Sequence, residues 1–358
     1  MADTNLKEAQ LSEEMAHNAN RNGGIDRRSI PPHAAESTWS AADGHSLRRI
    51  DWPGDTSNDA DETGLRGSIL FMPGRGDTYE KYLESLEEWH RDGWRVTASD
   101  WRGQAGSGRL GKDAVTGHID DFTTWVDDLA HFWQQWIDET PGPHVLAGHS
   151  MGGHLIMRAL VDKRFAPDAV FLSAPMLGLS GPPLPMAFLH GVAKMMNAVG
   201  EPTRQAWKWS EKPGEVPASR SSLLTHDGDR YDDELWWRNQ RPELVMGPAS
   251  WRWVERAYAS WRRLEEPGAI EAVQTPVYIV STSSDKLVSH DANVRAVSRL
   301  PNGRLLEFGE EAHHEILREV DAVRDRMMQG IAAFLDDVAP KNAASQPTRL
   351  SPSVAFGE

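Results

Sequence analysis

Gly148-His149-Ser150-Met151-Gly152 constrains this chain more than any other segment, because of what stands on either side of it. A short apolar run, His144–Ala147, leads in, and a helical pattern starts near Gly152 and continues to Val161. A strand that passes into a helix through a single serine must bend sharply. Gly148 and Gly152 support that bend, since a Cβ there would strike the neighbouring strand or helix. The turn lifts the serine hydroxyl above a sheet edge and aims the next amide, that of Met151, at the same space. The motif therefore predicts a sheet flanked by helices and a serine poised as a nucleophile.

The rest of the chain repeats the strand–helix theme. Apolar runs of strand length lie at Ser68–Met72, Arg95–Ser99, Ala169–Leu172, Val277–Ser281 and Arg304–Phe308. Helical patterns lie at Tyr79–Asp92, Ile119–Glu139 and Glu315–Val338, and Asp43-Gly44 marks a hairpin turn between Ser37–Ser40 and Leu47–Asp51. Such alternation implies an α/β fold with a mostly parallel central sheet and helices on both faces. It breaks between about Leu177 and Val273, where no strand pattern occurs and Trp207, Trp209, Trp236, Trp237, Trp251 and Trp253 cluster. We expect a core at 34–176 and 274–339 with an inserted helical cap at 177–273. A polar arm, 1–33, is expected to be loosely held with one short helix around Leu6–Ala16, and a Ser/Pro/Asn-rich tail, 340–358, is expected to be disordered. Leu184–Val199 is apolar nearly all round, which predicts burial or an apolar ligand beside it.

A serine hydroxyl needs a base to take its proton and a third group to orient the base. In sheets with this elbow the order along the chain is serine, acid, histidine. Asp285 follows the run Val277–Ser281, in a loop at the carboxyl end of a strand, where such sheets build their sites. His313 and His314 follow Arg304–Phe308, and spacing alone does not choose between them. The second oxyanion donor is expected from the glycine-rich loop after Ser68–Met72, with Gly74 allowing close approach and the amide of Arg75 as the candidate. Arg75-Gly76-Asp77 in that loop matches an adhesion tripeptide by coincidence. Gly106–Lys112 fits most of a phosphate-binding loop, but Asp113 replaces the hydroxyl residue that would hold Mg²⁺ and would repel phosphate.

Composition removes other classes. A formal net charge of -15 argues against nucleic acid or an anionic membrane as a partner held by bulk charge. With no cysteine, disulfides, thiolate metal sites and thiol nucleophiles are excluded, and no histidine spacing suits a metal. No stretch has signal-peptide character or the ~18 apolar residues of a span. A cytoplasmic protein is expected, touching the inner membrane peripherally at most.

Several segments together resemble the lysophospholipase and monoacylglycerol lipase branch of the α/β-hydrolases. They are Phe71-Met-Pro-Gly-Arg75 with Tyr79-Glu-Lys-Tyr82, Asp100-Trp-Arg-Gly-Gln-Ala-Gly-Ser107, Gly148–Gly153, Leu224-Thr-His226 with Arg230-Tyr231, Gly247–Trp253, and His314-Glu-Ile-Leu-Arg-Glu319. Ala105 departs from the pattern, which has glycine there. The resemblance implies that His314 is the catalytic histidine and that the substrate is a small lipid ester with one acyl chain on glycerol or glycerophosphate. It also implies that no cofactor is used. Met186, Phe188, Leu189, Thr225, Trp237 and Trp253 are the candidate substrate-pocket residues. A short-chain carboxylesterase or an aminopeptidase on the same fold is the alternative. A peptidase should hold a carboxylate for the substrate amine, and Asp227, Asp229, Asp232, Asp233 and Glu234 offer candidates. A non-catalytic binding protein is a third reading, against which the complete set of three catalytic residue types argues.

Overall fold

Strands buried on both faces need continuous apolar sequence, and the central runs have it. In the computed structural model, which describes residues 24–53, 65–181, 184–208 and 218–340, eight strands form one sheet. They are β1 (Ala35–Ser40), β2 (Ser46–Trp52), β3 (Gly67–Met72), β4 (Trp94–Ser99), β5 (His144–His149), β6 (Ala169–Ser173), β7 (Val277–Thr282) and β8 (Gly303–Phe308). Their order is β1-β2-β4-β3-β5-β6-β7-β8. The β1–β2 hairpin turns at Asp43-Gly44 and joins β4 antiparallel, and every later pairing is parallel. Every residue of β3, β5, β6 and β7 is buried, so the centre of the sheet is covered on both sides.

The covering helices are α1 (Leu83–Arg91), α2 (Phe122–Glu139), α3 (Met151–Val161), α8 (His290–Arg299) and α9 (Asp321–Val338). Helix α2 shows why the sequence chooses this state. Asp121 caps it by accepting from the Thr123 amide, and Phe122, Trp125, Val126, Leu129, Phe132, Trp133 and Trp136 return every three or four residues to one buried stripe. The expected segment at Tyr79–Asp92 divides into a 3-10 turn, Tyr79–Tyr82, followed by α1. Glu315–Val338 likewise divides into a 3-10 turn at Ile316–Arg318 and then α9, so His314 precedes a turn and not a long helix. Helix α8 lay outside the sequence expectations. Ala105 takes a φ of 45°, in the left-handed region that favours glycine, which accounts for the residue usual in that turn.

Between β6 and β7 the described chain is mainly helical, with α4 (Met186–Ala198), α5 (Ala218–Leu224), α6 (Gly228–Gln240) and α7 (Trp251–Leu264). Two sequence expectations change, and the rejection of a phosphate loop at Gly106–Lys112 stands. Helix α4 is not buried all round: Leu189, Val192 and Ala193 turn inward, whereas Phe188, Met195 and Val199 are 58%, 56% and 77% exposed. Residues 24–33 are not loose, because Arg27 and Arg28 each pair with Asp233 on α6 (2.5 and 2.6 Å) and Ile25 is buried. Gly106–Lys112 lies in a turn-rich stretch with no helix after it before Phe122, unlike a phosphate loop. The short helix expected at Leu6–Ala16, Trp209, and the tail beyond Pro340 lie outside the described residues.

Candidate active site

Parallel strands deliver their following loops to one edge, and the expected residues arrive there from four of them. Ser150 stands between β5 and α3 at φ 50° and ψ -115°, a conformation costing about 1–3 kcal/mol for a residue with a Cβ. Neighbours hold it there. Its amide donates to the Ser173 carbonyl (3.0 Å), and its carbonyl accepts from Met176 (2.9 Å) and His154 (3.1 Å). A Cβ on Gly152 would lie 2.5 Å from the Pro73 carbonyl oxygen, so only glycine lets the helix start pass this close to the loop after β3.

His314 Nδ1 donates to Asp285 Oδ2 at 2.7 Å, and Asp285 Oδ1 accepts from the amides of Leu287 (2.8 Å) and Val288 (2.9 Å). With the proton on Nδ1, Nε2 is an acceptor, and it lies 3.0 Å from Ser150 Oγ. Burial disfavours the charged form of His314, but the Asp285 carboxylate outweighs it and raises the imidazole above its ordinary value of 6.5. Burial likewise opposes ionisation of Asp285, and His314 and the two amides overcome it and lower its pKa. His149, whose ring centroid is 4.8 Å from that of His314, is the opposite case. Burial, then the charge of His314, lower it to about 4, so it stays neutral when its neighbour is protonated. His313 turns away. Its ring stacks on His226 at 3.8 Å and its amide donates to Glu319.

Met151 opens α3, so its amide is among those without an intrahelical acceptor, at the positive end of the helix dipole. The loop carrying Arg75 is fastened at each residue. The Pro73 carbonyl accepts from the Trp101 indole (2.7 Å), and the Gly74 amide donates to Asp77 Oδ2 (3.2 Å). The Arg75 guanidinium donates to the Gly247 carbonyl (2.7 Å), and the Gly76 amide donates to Gln104 (2.6 Å). A Cβ on Gly74 would come within 3.1 Å of Ser150 Cβ, which measures how closely the loop crosses the serine.

Behind this loop lies a buried charge cluster the sequence reading missed. Lys81 Nζ is 2.6 Å from Asp77, 2.6 Å from Glu315 and 3.0 Å from Glu234 on α6. Arg318 pairs with Glu315 and lies 3.0 Å from Glu234. Burial pushes Asp77 and Glu315 towards neutrality, and Lys81 reverses it, holding both below the usual carboxylate range. The i,i+4 spacing of Asp77 and Lys81 was the available signal, and the adjacency of Glu315 to His314 a second.

Ser150 and His314 open onto a cavity of about 640 Å³ with a largely apolar wall that includes Leu189, Val192, Trp207, Trp251, Trp253 and Trp261. Two expected pocket residues, Leu189 and Trp253, line it, and four do not. Phe188 faces outward from α4, and Met186 packs on the core. Thr225 is buried with its hydroxyl donating to the Arg318 carbonyl, and the Trp237 indole is spent on the Arg27 carbonyl. Helical periodicity does not reveal which face of a helix meets a cavity. Among the described residues there is no cluster of side chains suited to a metal, and no helix is long and apolar enough to cross a membrane.

Comparison with known proteins identifies the family and supports the fold. A family model described as Hydrolase_4, serine aminopeptidase, S33, matches residues 63–321. Lysophospholipase L2 of Escherichia coli K12 is 30% identical over 286 residues, covering 75% of this chain and 80% of that protein. A probable lysophospholipase L2 of Haemophilus influenzae is 25% identical, covering 77% and 85%. Among solved structures, a monoglyceride lipase from Saccharomyces cerevisiae superposes with a TM-score of 0.67 at 17% identity, covering 87% of this chain and 97% of that one. A monoacylglycerol lipase from Paleococcus ferrophilus gives 0.58 at 19%, covering 85% and 98%. At these identities the structural likenesses speak for an α/β-hydrolase fold.

Proposed function

Because the chain belongs to the serine aminopeptidase S33 (Hydrolase_4) family of α/β-hydrolases, we propose that it hydrolyses the carboxylic ester of a monoacylated glycerolipid, a lysophospholipid or monoacylglycerol, through an acyl-enzyme on Ser150. The observation that carries this is the Ser150–His314–Asp285 hydrogen-bond chain facing a large apolar cavity. His314 Nε2 takes the Ser150 proton as Oγ attacks the ester carbonyl. Asp285 holds the imidazole in the required tautomer and stabilises its charged form. The amides of Met151 and Arg75 receive the oxyanion. The tetrahedral intermediate collapses as His314 protonates the glycerol oxygen, leaving the acyl group on Ser150. A water deprotonated by His314 then releases the fatty acid. No step requires a cofactor.

We take 177–273 as the cap and its inward wall as the acyl pocket. The exposed apolar face of α4, with Phe188, Met195 and Val199, suits peripheral contact with a lipid surface on a chain otherwise strongly acidic. Lysophospholipase L2 relatives favour the ester reading over aminopeptidase action, and so does the wall of the cavity. Among the described residues its carboxylates are Asp77 and Glu315, both held by Lys81, and none of Asp227, Asp229, Asp232, Asp233 and Glu234 lines it for a substrate amine.

Each buried CH₂ contributes about 0.8 kcal/mol, so kcat/KM should climb steeply with acyl length before the pocket fills. A hydrolysis panel of acetyl to palmitoyl esters, lysophospholipids, monoacylglycerols and aminoacyl amides tests this. Activity that is flat with chain length, or highest on aminoacyl amides, would overturn it.

A further inference from the structure

The loop that carries His314 does not rest on the core alone. It runs beside residues 223–227, where α5 ends, and the two segments are joined at successive positions. The His314 amide donates to the Leu223 carbonyl (3.5 Å), and the Glu315 amide donates to the Leu224 carbonyl (2.8 Å). Both carbonyls belong to the last turn of α5, where a helix lacks donors of its own. The Thr225 hydroxyl donates to the Arg318 carbonyl (2.7 Å), and Arg230 on α6 donates to the Glu319 carbonyl (2.8 Å). One edge of the histidine loop is therefore backbone from the inserted helical region.

Glu319 closes this seam. Its side chain is fully buried, and it accepts from both sides. Oε1 takes the amide of His313 (2.7 Å), the neighbour of His314, and the Nδ1–H of His226 (3.0 Å). Oε2 takes the amides of His226 (3.0 Å) and Val320 (3.2 Å). Two of these donors belong to the histidine loop and two to the residue after Thr225. The half-buried His226 ring also stacks on His313, with centroids 3.8 Å apart. A carboxylate taken out of water is stable only where donors replace the water, so the buried group and its donors hold one another in place.

Resting on the reading of His314 as the catalytic base, we infer that Glu319 is a positioning residue which, through His226, lets the inserted region set where the imidazole of His314 stands. Glu319 lies outside the cavity wall and acts through the His313 amide, which fixes the backbone from which His314 reaches Asp285 and Ser150. Two consequences follow from this placement. Its loss should slow the chemical step equally for short and long acyl chains, because the acyl wall is untouched. The contribution of His226 should be needed as well, because the contact is made from both sides.

The test uses Glu319→Gln, His226→Leu and His226→Asn in the full chain. In Glu319→Gln the NH₂ meets a backbone amide whichever way the carboxamide turns, His313 on one side or His226 and Val320 on the other. His226→Leu removes the Nδ1 donor but keeps an apolar cover on His313, and His226→Asn returns an N–H at similar reach. Each protein is assayed on p-nitrophenyl butyrate and p-nitrophenyl palmitate in one detergent, with kcat expressed per Ser150 site counted by fluorophosphonate titration. Glu319→Gln should lose kcat ~10- to 100-fold, equally on both esters and with KM little changed. His226→Leu should lose less, and His226→Asn should recover most of that loss. The acid limb of kcat/KM should also move to lower pH in Glu319→Gln and His226→Leu, as His314 loosens from the carboxylate that raises it. An unchanged kcat per site, with only thermal stability lowered, would make Glu319 a structural residue and overturn the inference. His226 variants that both match wild type would overturn it too, and they decide alone if Glu319→Gln does not fold. A Ser150→Ala protein as active as wild type would instead refute the catalytic reading, a result recognisable before the other variants are made.

Discussion

Replacing Asp285 by asparagine changes one atom and should nearly abolish turnover, for a reason visible in the hydrogen bonds. Oδ1 accepts from two backbone amides, at 2.8 and 2.9 Å, and Oδ2 accepts from His314 Nδ1 at 2.7 Å. In Asp285→Asn the carboxamide oxygen must stay with the two amides, because an NH₂ there would face two donors. The NH₂ is then directed at Nδ1, and the imidazole responds by carrying its proton on Nε2, 3.0 Å from Ser150 Oγ. A base whose only accessible nitrogen is already protonated cannot accept from the serine. The expected loss in kcat is ~10⁴, or about 5.5 kcal/mol at 1.36 kcal/mol per decade. If Asp285 were merely a packing partner, losing one charged hydrogen bond would cost ~1.5–3 kcal/mol, a factor of roughly ten to a hundred. Steady-state hydrolysis of a p-nitrophenyl ester, with thermal unfolding as the fold control, separates the two. The pH profile gives a second reading. The carboxylate raises His314, and only the neutral imidazole is a base, so wild-type kcat/KM should fall as pH drops through a value above 6.5. Without the carboxylate the residual activity should decline at lower pH. A loss of kcat under about thirtyfold (~2 kcal/mol) with an unmoved profile would refute the orienting role.

Lys81→Met keeps the aliphatic stem but leaves Asp77, Glu234 and Glu315 without their shared cation, which should cost about 3–5 kcal/mol in urea unfolding. Asp77 and Glu315 are lowered when folded, so they stabilise the fold above their unfolded values and lose this as pH falls. Raising them in Lys81→Met moves acid unfolding to higher pH, and a destabilisation below 1 kcal/mol would count against the cluster. Gly152→Ala places a Cβ against the Pro73 carbonyl and should lower stability by about 1–3 kcal/mol while reducing kcat more than KM rises. Unchanged kcat would show that the loop after β3 is not needed for the oxyanion. Phe188→Ser with Met195→Ser should weaken binding to lipid vesicles in a flotation assay and leave hydrolysis of a soluble short ester intact. Undiminished flotation would remove α4 as the contact face.

Strands and nucleophile were legible for one shared reason. A strand covered on both faces needs a largely apolar run, and β3, β5, β6 and β7, buried at every residue, carry one, so the loops after them could be located and their chemistry read. Helix α8 escaped because the residues it buries are Ala292, Asn293 and Ala296, small or polar, leaving no apolar stripe. The segment Leu184–Val199 misled because an apolar surface does not say what covers it: Leu189, Val192 and Ala193 face the cavity, and Phe188, Met195 and Val199 face outward. His313 and His314 could not be separated by spacing, since adjacent residues diverge only once the turn is built, and in the structure one stacks on His226 while the other reaches Asp285. Arg220 on α5 and Arg238 on α6 line the cavity, a placement that no periodicity or spacing announces.

The account rests on Ser150 being the atom that carries the acyl group, and covalent trapping tests that most directly. The protein is treated with a fluorophosphonate, weighed intact, and digested for peptide mapping. One adduct per chain on Ser150, absent from Ser150→Ala and strongly slowed in Asp285→Asn, is the predicted result. An adduct on another residue, or labelling undiminished in Ser150→Ala, would contradict it.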